Sequence, residues 1–318
     1  MKYFLPLLAV SCLSLIAYFL LFGFLVSRPM VIDQISQFMD KKLAYADATG
    51  HPKIFVVAGS NARFSHSCAV LEAQLQRPCV NMGIAADISL DWTLEVVRVR
   101  LAPGDFVYLP LEYDVYSRSP VQLMTGMDAA YRFRHDKASL TGHGTERFAR
   151  AAFMFSLPTL VHSLGEMSLN AASVQRRFNL NTLDRQGDEI GHDDNKAHPY
   201  QQMIEGARQE QPDPANLLAN PDGAQAELGQ FLNWCRTHGI VAAGGLPTVF
   251  NDTPISDRAI SKLRRFYSAR GARFIVLPNL SQYPRGAFYD SGYHLREKFQ
   301  HSHSVALAKA IRPLLPSR

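Results

Sequence analysis

The sequence predicts an α/β protein with a parallel central sheet. Short apolar runs that end at glycine, such as Ile54-Phe55-Val56-Val57-Ala58 before Gly59, suit strands covered on both faces. Segments of helical spacing separate those runs, which is the rhythm of βαβ units. A third observation stands apart: Tyr3 to Ser27 carries no charge, between Lys2 and Arg28. At 1.5 Å per residue that segment crosses a hydrocarbon core of roughly 30 Å with some tilt.

The elements follow in order. Residues 1–28 are expected to form an N-terminal transmembrane signal anchor, because a cleaved leader has a shorter apolar stretch followed closely by its small-residue site. Ala44-Tyr45-Ala46 has the form of such a site but lies far beyond the apolar end. Residues 29–52 read as an amphipathic juxtamembrane linker, with Ile32, Ile35, Phe38 and Met39 among Asp33, Gln37, Asp40 and Lys41. The strand at 54–58 opens the body, 53–318. A helix over 66–76 stops before Pro78, and Cys79-Val80-Asn81-Met82 is a second strand ended by Gly83. A helix over 91–101 leads through Pro103-Gly104-Asp105 to a third strand, 106–111. An insertion follows at about 118–222, mostly helical to 178 and then polar, with the Gly, Asp, Asn and Pro content of a functional lid or a disordered segment. The α/β rhythm resumes with a helix over 224–237 and a strand over 240–243. A helix over 256–270, a strand over 273–277 and a last helix over 298–312 complete it.

Composition narrows the function classes. The chain has 318 residues, 47% hydrophobic and 19% charged, which excludes collagen, a disulfide-dense mini-protein and a mostly disordered chain. The net charge of +5 and a pI near 9.0 suggest nucleic acid, but Lys and Arg are scattered and the basic runs are pairs such as Arg176-Arg177. No nucleic-acid partner is expected. Lys2 and the terminal amine face Arg28, Lys41 and Lys42 across the apolar segment, so the positive-inside rule leaves orientation open. A very short tail before one large body is the plan of an exported domain. In an exported domain Cys68 and Cys79 could bridge; the competing reading makes Cys68, Cys79 and Cys235 small buried apolar residues.

Chemistry concentrates at two places. Ser60 follows Gly59 at the end of the first strand and opens a helix, at the carboxyl edge of the sheet where open α/β folds bind ligands. The same residues also suit an ordinary helix cap. Near the C-terminus, Phe288-Tyr289-Asp290-Ser291-Gly292-Tyr293-His294 places an Asp and a His in one loop, the remainder of a Ser–His–Asp triad. Other signatures are weak or missing. His301-x-His303 lacks nearby carboxylates, so no metal is expected. No dinucleotide or P-loop signature occurs, and no cofactor is expected. Tyr108, Tyr113, Tyr116, Tyr131 and Phe133 suit core packing better than a sugar site.

In this order the chain resembles the SGNH (GDSL-like) hydrolase and acyltransferase superfamily over about 54–116 and 240–312. It is closest to membrane-anchored envelope members that accompany membrane-bound O-acyltransferases in polysaccharide or teichoic acid modification. The resemblance implies a flavodoxin-like three-layer α/β/α fold. It implies Ser60 as nucleophile, His294 as general base, Asp290 as its orienting partner, and the Gly83 N–H in the oxyanion hole. It also implies a bacterial inner-membrane protein, single-pass, with the body in the periplasm, acting on an acylated polysaccharide. The departures are specific. Gly59 and Asn61 flank the serine where the family carries Asp, and three residues rather than two separate Asp290 from His294. The third block, Gly-x-Asn-Asp, is replaced by Leu109-Pro110-Leu111-Glu112-Tyr113. Asn61 therefore stands in as the oxyanion donor, and Glu112 and Tyr113 become candidate substrate-contacting residues. Two expectations follow: a serine esterase or O-acyltransferase, or a catalytically inactive glycan- or partner-binding module of a polysaccharide synthesis complex.

Overall fold

The computed structural model describes residues 3–26, 30–85, 88–118, 126–141, 145–154, 161, 165, 179–209 and 216–316. The chain divides into two compact units, one of residues 1–36 and 124–178, the other of 37–123 and 179–318. The expected insertion is therefore split: its first part groups with the N-terminal helix, and its second part with the α/β body.

In the first unit, α1 (Phe4–Val26) is uncharged along its whole length, and its window Phe4–Phe24 is long and apolar enough to cross a membrane. Three helices accompany it, α6 (Gly126–His135), α7 (Lys137–Thr141) and α8 (Thr145–Ala152). The Tyr18 and Phe22 rings of α1 pack on Phe153 and Phe133, and Tyr18 Oη donates to Ala152 O at 2.6 Å. The expected helical residues 155–178 lie outside the described residues, except 161 and 165.

In the second unit, five parallel strands form the sheet in the order β2-β1-β3-β4-β6: β1 (Ile54–Val56), β2 (Cys79–Asn81), β3 (Phe106–Leu109), β4 (Val241–Gly245) and β6 (Arg273–Ile275). All of β1, β2 and β3 is buried, as expected for strands apolar on both sides. The helices are α3 (Ser60–Ser65), α4 (Cys68–Leu75), α5 (Leu90–Arg98), α9 (Asp194–Ala197), α10 (Gln201–Gly206), α11 (Ala224–Thr237), α12 (Asp257–Ser268) and α13 (Glu297–Ile311). A second, two-stranded parallel sheet pairs β5 (Val249–Phe250) with β7 (Gln282–Tyr283). Two-residue strands leave no periodicity to read, so the sequence does not announce them.

Two segments differ from expectation, and between them one open alternative is decided. The presumed linker is a helix, α2 (Met30–Ala48), and its Phe38, Met39, Lys42 and Ala46 are buried. A disulfide joins Cys68 of α4 to Cys79 of β2, so the bridged reading holds for that pair, while Cys235 is free and buried. Within the polar stretch, the described residues around 186–189 form a wall rather than a loose loop. Gln186 O accepts from Asn81 N along β2, Asp188 is buried, and Glu189 pairs with Arg63.

Candidate functional site

Two arms meet at the carboxyl edge of the sheet. The first is the turn from β1 into α3. Ser60 opens that helix and is partly exposed. The turn is held from four sides. Glu112, three residues beyond β3, accepts from Gly59 N at 3.2 Å and Asn61 N at 3.0 Å. Asn81 of β2 donates from Nδ2 to Ala62 O and His66 O, both within 2.9 Å. The Arg63 guanidinium meets the Glu189 carboxylate at 2.6 Å, and Glu189 N donates back to Arg63 O. Thr248 Oγ1 lies 2.8 Å from both Asn61 Oδ1 and Ser65 Oγ.

The second arm is the loop between β7 and α13. Tyr289 N donates to His294 O, and Arg296 N to Ala287 O, which closes the loop as a small hairpin. Within it, Asp290 Oδ1 lies 2.5 Å from His294 Nδ1. Among the described residues His294 Nε2 takes no hydrogen bond. The side chains of His294 and Asp290 keep 13% and 30% of their surface open. Burial alone would raise the Asp290 pKa, but His294 and Arg63 hold it below the ordinary carboxylate value.

Ser65 ties the arms together. Its hydroxyl donates to Tyr293 O at 2.8 Å and accepts from Leu295 N at 3.1 Å. One residue before it, the Phe64 ring stacks on the His294 imidazole, centroids 4.1 Å apart. Phe64 and Ser60 are four positions apart on α3, so they share a helix face. The structure thus brings Ser60, His294 and Asp290 to one side of the sheet. No hydrogen bond joins Ser60 Oγ to His294 in this state.

Other expected residues have different roles. Gly83 N donates to Asn81 Oδ1 at 3.0 Å, so its one N–H is not free for an oxyanion. Gly83 is required by packing instead: a Cβ there would sit 2.4 Å from Arg63 N and 2.8 Å from Gly59 O. Asn61 is fully buried, and its amide donates to Pro110 O and accepts from Thr248, so the side chain faces inward rather than toward an acyl group. Glu112, 3% exposed, is a clamp on the serine turn and not a substrate contact. Burial raises its pKa, against the opposing pull of the backbone N–H groups. Tyr113 is equally buried, and its hydroxyl meets no hydrogen-bond partner.

His192 is a neighbour the sequence did not single out. It is 2% exposed, packs edge-on against Phe64 and Tyr289, and neither ring nitrogen has a hydrogen-bond partner. Burial and the adjacent His294 pull its pKa down to about 3, so it is neutral. His66 and His303 form a buried pair with Nε2 atoms 3.2 Å apart, and His303 Nδ1 meets Tyr283 Oη. Among the described residues no cluster of three or more metal-binding side chains occurs. Nothing local in the sequence marks Phe64, Ser65, His192 or Thr248, because each gains its place from a partner more than 90 residues away or from the fold of α3.

In chemical terms the arrangement holds a partly exposed serine at a helix start, an imidazole whose tautomer a carboxylate fixes, and a strongly braced backbone turn. No protein-family model matches the chain, and no curated protein matches it.

Proposed function

We propose that this chain is a membrane-anchored serine esterase or O-acyltransferase of the SGNH type, acting on acyl groups of an exported or cell-envelope polysaccharide. The observation that carries this reading is the Asp290–His294 pair stacked on Phe64, one turn along α3 from Ser60. The strand order β2-β1-β3-β4-β6 is that of a flavodoxin-like doubly wound sheet, which supports the family reading. The apolar α1 and the Cys68–Cys79 disulfide suit a periplasmic body tethered to the inner membrane. A membrane-bound O-acyltransferase is the partner that would supply acyl groups.

In this mechanism Ser60 Oγ attacks the acyl carbonyl carbon. His294 Nε2 takes the serine proton and later returns it to the leaving alkoxide, while Asp290 holds Nδ1 and stabilises the imidazolium. The acyl group then passes to water or a sugar hydroxyl. Purified full-length chain should label at Ser60 with a fluorophosphonate, and Ser60→Ala should lose labelling and p-nitrophenyl ester turnover together. Full turnover in Ser60→Ala would discard the reading.

One observation favours the second reading, an inactive glycan- or partner-binding module. The N–H groups of Gly59, Asn61 and Gly83 are all engaged within the chain. Under that reading wild type neither labels nor turns over, yet retains a polysaccharide or a synthesis partner.

A further inference from the structure

The apolar helix α1 has company along part of its length. Most of its side chains are exposed, but Tyr18 and Phe22, one helical turn apart, are partly buried against the rest of the first unit. The Phe22 ring meets Phe133 of α6, centroids 4.9 Å apart, and Phe133 in turn meets Phe148 of α8 at 5.3 Å. Tyr18 stacks at 5.4 Å on Phe153, which directly follows α8, and the same Phe153 ring lies 5.7 Å from Phe19.

These contacts fix a depth if α1 crosses a bilayer. The window Phe4–Phe24 has 21 residues, enough for a hydrocarbon core of roughly 30 Å. Phe22 stands two positions before its end and Tyr18 six, roughly 3 Å and 9 Å along the helix axis. The start of α8 is therefore near the boundary, through Phe148, and its far end is well below it, through Phe153. The helix runs beside α1 into the acyl chains.

The side chains suit that placement. Phe148 and Phe153 are 45% and 56% exposed, large rings left open in the isolated chain. Tyr18 Oη donates to Ala152 O at 2.6 Å, which satisfies a helix-end carbonyl where lipid offers no donor. The Arg150 guanidinium reaches back four residues to Glu146 at 2.8 Å, toward the start of α8 and so toward water. Arg132 and Asp128 of α6 pair inside the unit, both fully buried. At the boundary, Asp33 of α2 takes Arg134 at 2.9 Å and His135 at 3.4 Å, directly after Phe133.

We propose that α8 with Phe153 is a second membrane contact, inserted beside α1 into the half of the bilayer nearer the body, with Phe148 and Phe153 against acyl chains. The partner is the lipid bilayer itself. The inference rests on the reading of α1 as a membrane span. The first unit is then held to the bilayer by two elements rather than one.

The test uses full-length chain in vesicles of phosphatidylethanolamine and phosphatidylglycerol, with and without phosphatidylcholine brominated midway along its acyl chains. Leu20→Trp, on the exposed surface of α1, is compared with Phe148→Trp and Phe153→Trp. Wild type, whose two tryptophans Trp92 and Trp234 lie in the second unit, sets the background emission. Brominated lipid should quench most of the emission that Leu20→Trp and Phe153→Trp add, and less of that from Phe148→Trp. Aqueous iodide should quench little of the Phe153→Trp emission. Quenching of Leu20→Trp by bromine, with Phe148→Trp and Phe153→Trp quenched by iodide alone, would put α8 in water and overturn the inference while the anchor stands. Emission at 148 and 153 that resists both quenchers would mean that a second copy covers these rings, and the lipid contact falls again. A Leu20→Trp emission untouched by bromine overturns the anchor and the inference together.

Discussion

The two arms of the site are built on opposite principles. The histidine arm is nearly self-contained: its hairpin closes within ten residues, and Asp290 meets His294 inside it. The serine arm is braced from afar, by Asn81, Glu112, Glu189 and Thr248. The difference teaches that a short loop can orient an imidazole, whereas this buried strand-to-helix turn is held by polar clamps from distant parts of the chain. Those clamps consume the backbone donors that a simple reading of the turn would assign to catalysis.

Under the proposed function, breaking the histidine arm should give the largest effect. Asp290→Asn leaves the hairpin in place but favours the wrong His294 tautomer, and should lower kcat by about 10³–10⁴-fold with little change in melting temperature. A fall of less than tenfold would detach Asp290 from the mechanism. Next in size is the disulfide behind the serine arm. It closes a loop between positions eleven apart, and its removal as Cys68→Ser with Cys79→Ser should destabilise the body by about 2–3 kcal/mol in urea titration. An unchanged midpoint would show that α4 and β2 hold without it.

The serine arm itself is probed by Glu112→Gln. The amide presents an N–H to one of the two backbone donors, which loses its partner, and the expected cost is about 1–3 kcal/mol. The comparison predicts that labelling of Ser60 suffers as well, because the turn loosens. A variant as stable and as reactive as wild type would show that the clamp is dispensable. The smallest effect is a pH dependence. Burial pulls the His66 pKa down to about 4, and burial with His66 beside it lowers that of His303, so both are neutral in the fold. The unfolded chain takes up protons near pH 6.5, so their stabilising contribution is present above that pH. It is lost as pH falls toward 4, with a slope of up to about 1.4 kcal/mol per pH unit for each group. Urea titrations between pH 7 and 4 should show this slope, reduced in His66→Gln. An equal slope in the variant would assign the acid sensitivity elsewhere.

Much of the site was legible because its signals are local. Gly59-Ser60 after an apolar run marks a serine at the sheet edge, and Asp290 with His294 share one loop. What was not legible depends on partners distant in the chain. Gly83 reads as an oxyanion donor until Asn81 is seen to take its N–H, and Asn61 until its amide is seen to turn toward Pro110 and Thr248. The polar composition of 180–222 suggested a lid or a disordered segment, yet Asp188, Glu189 and His192 are buried within it. A polar residue that is paired in the interior has the same letter as one in water, and only its neighbours distinguish them.

The sequence by itself determined the apolar N-terminal helix, the parallel α/β class, the place of Ser60 after the first strand and the loop that holds Asp290 and His294, since each rests on periodicity, length or spacing within one segment. The tertiary structure decided which hydrogen-bond donors around Ser60 are spent and which are spare. That outcome depends on the burial of Asn81, Glu112 and Tyr113 against chain segments far away, where an unpaired polar atom is costly and its position can no longer be read from the order of residues.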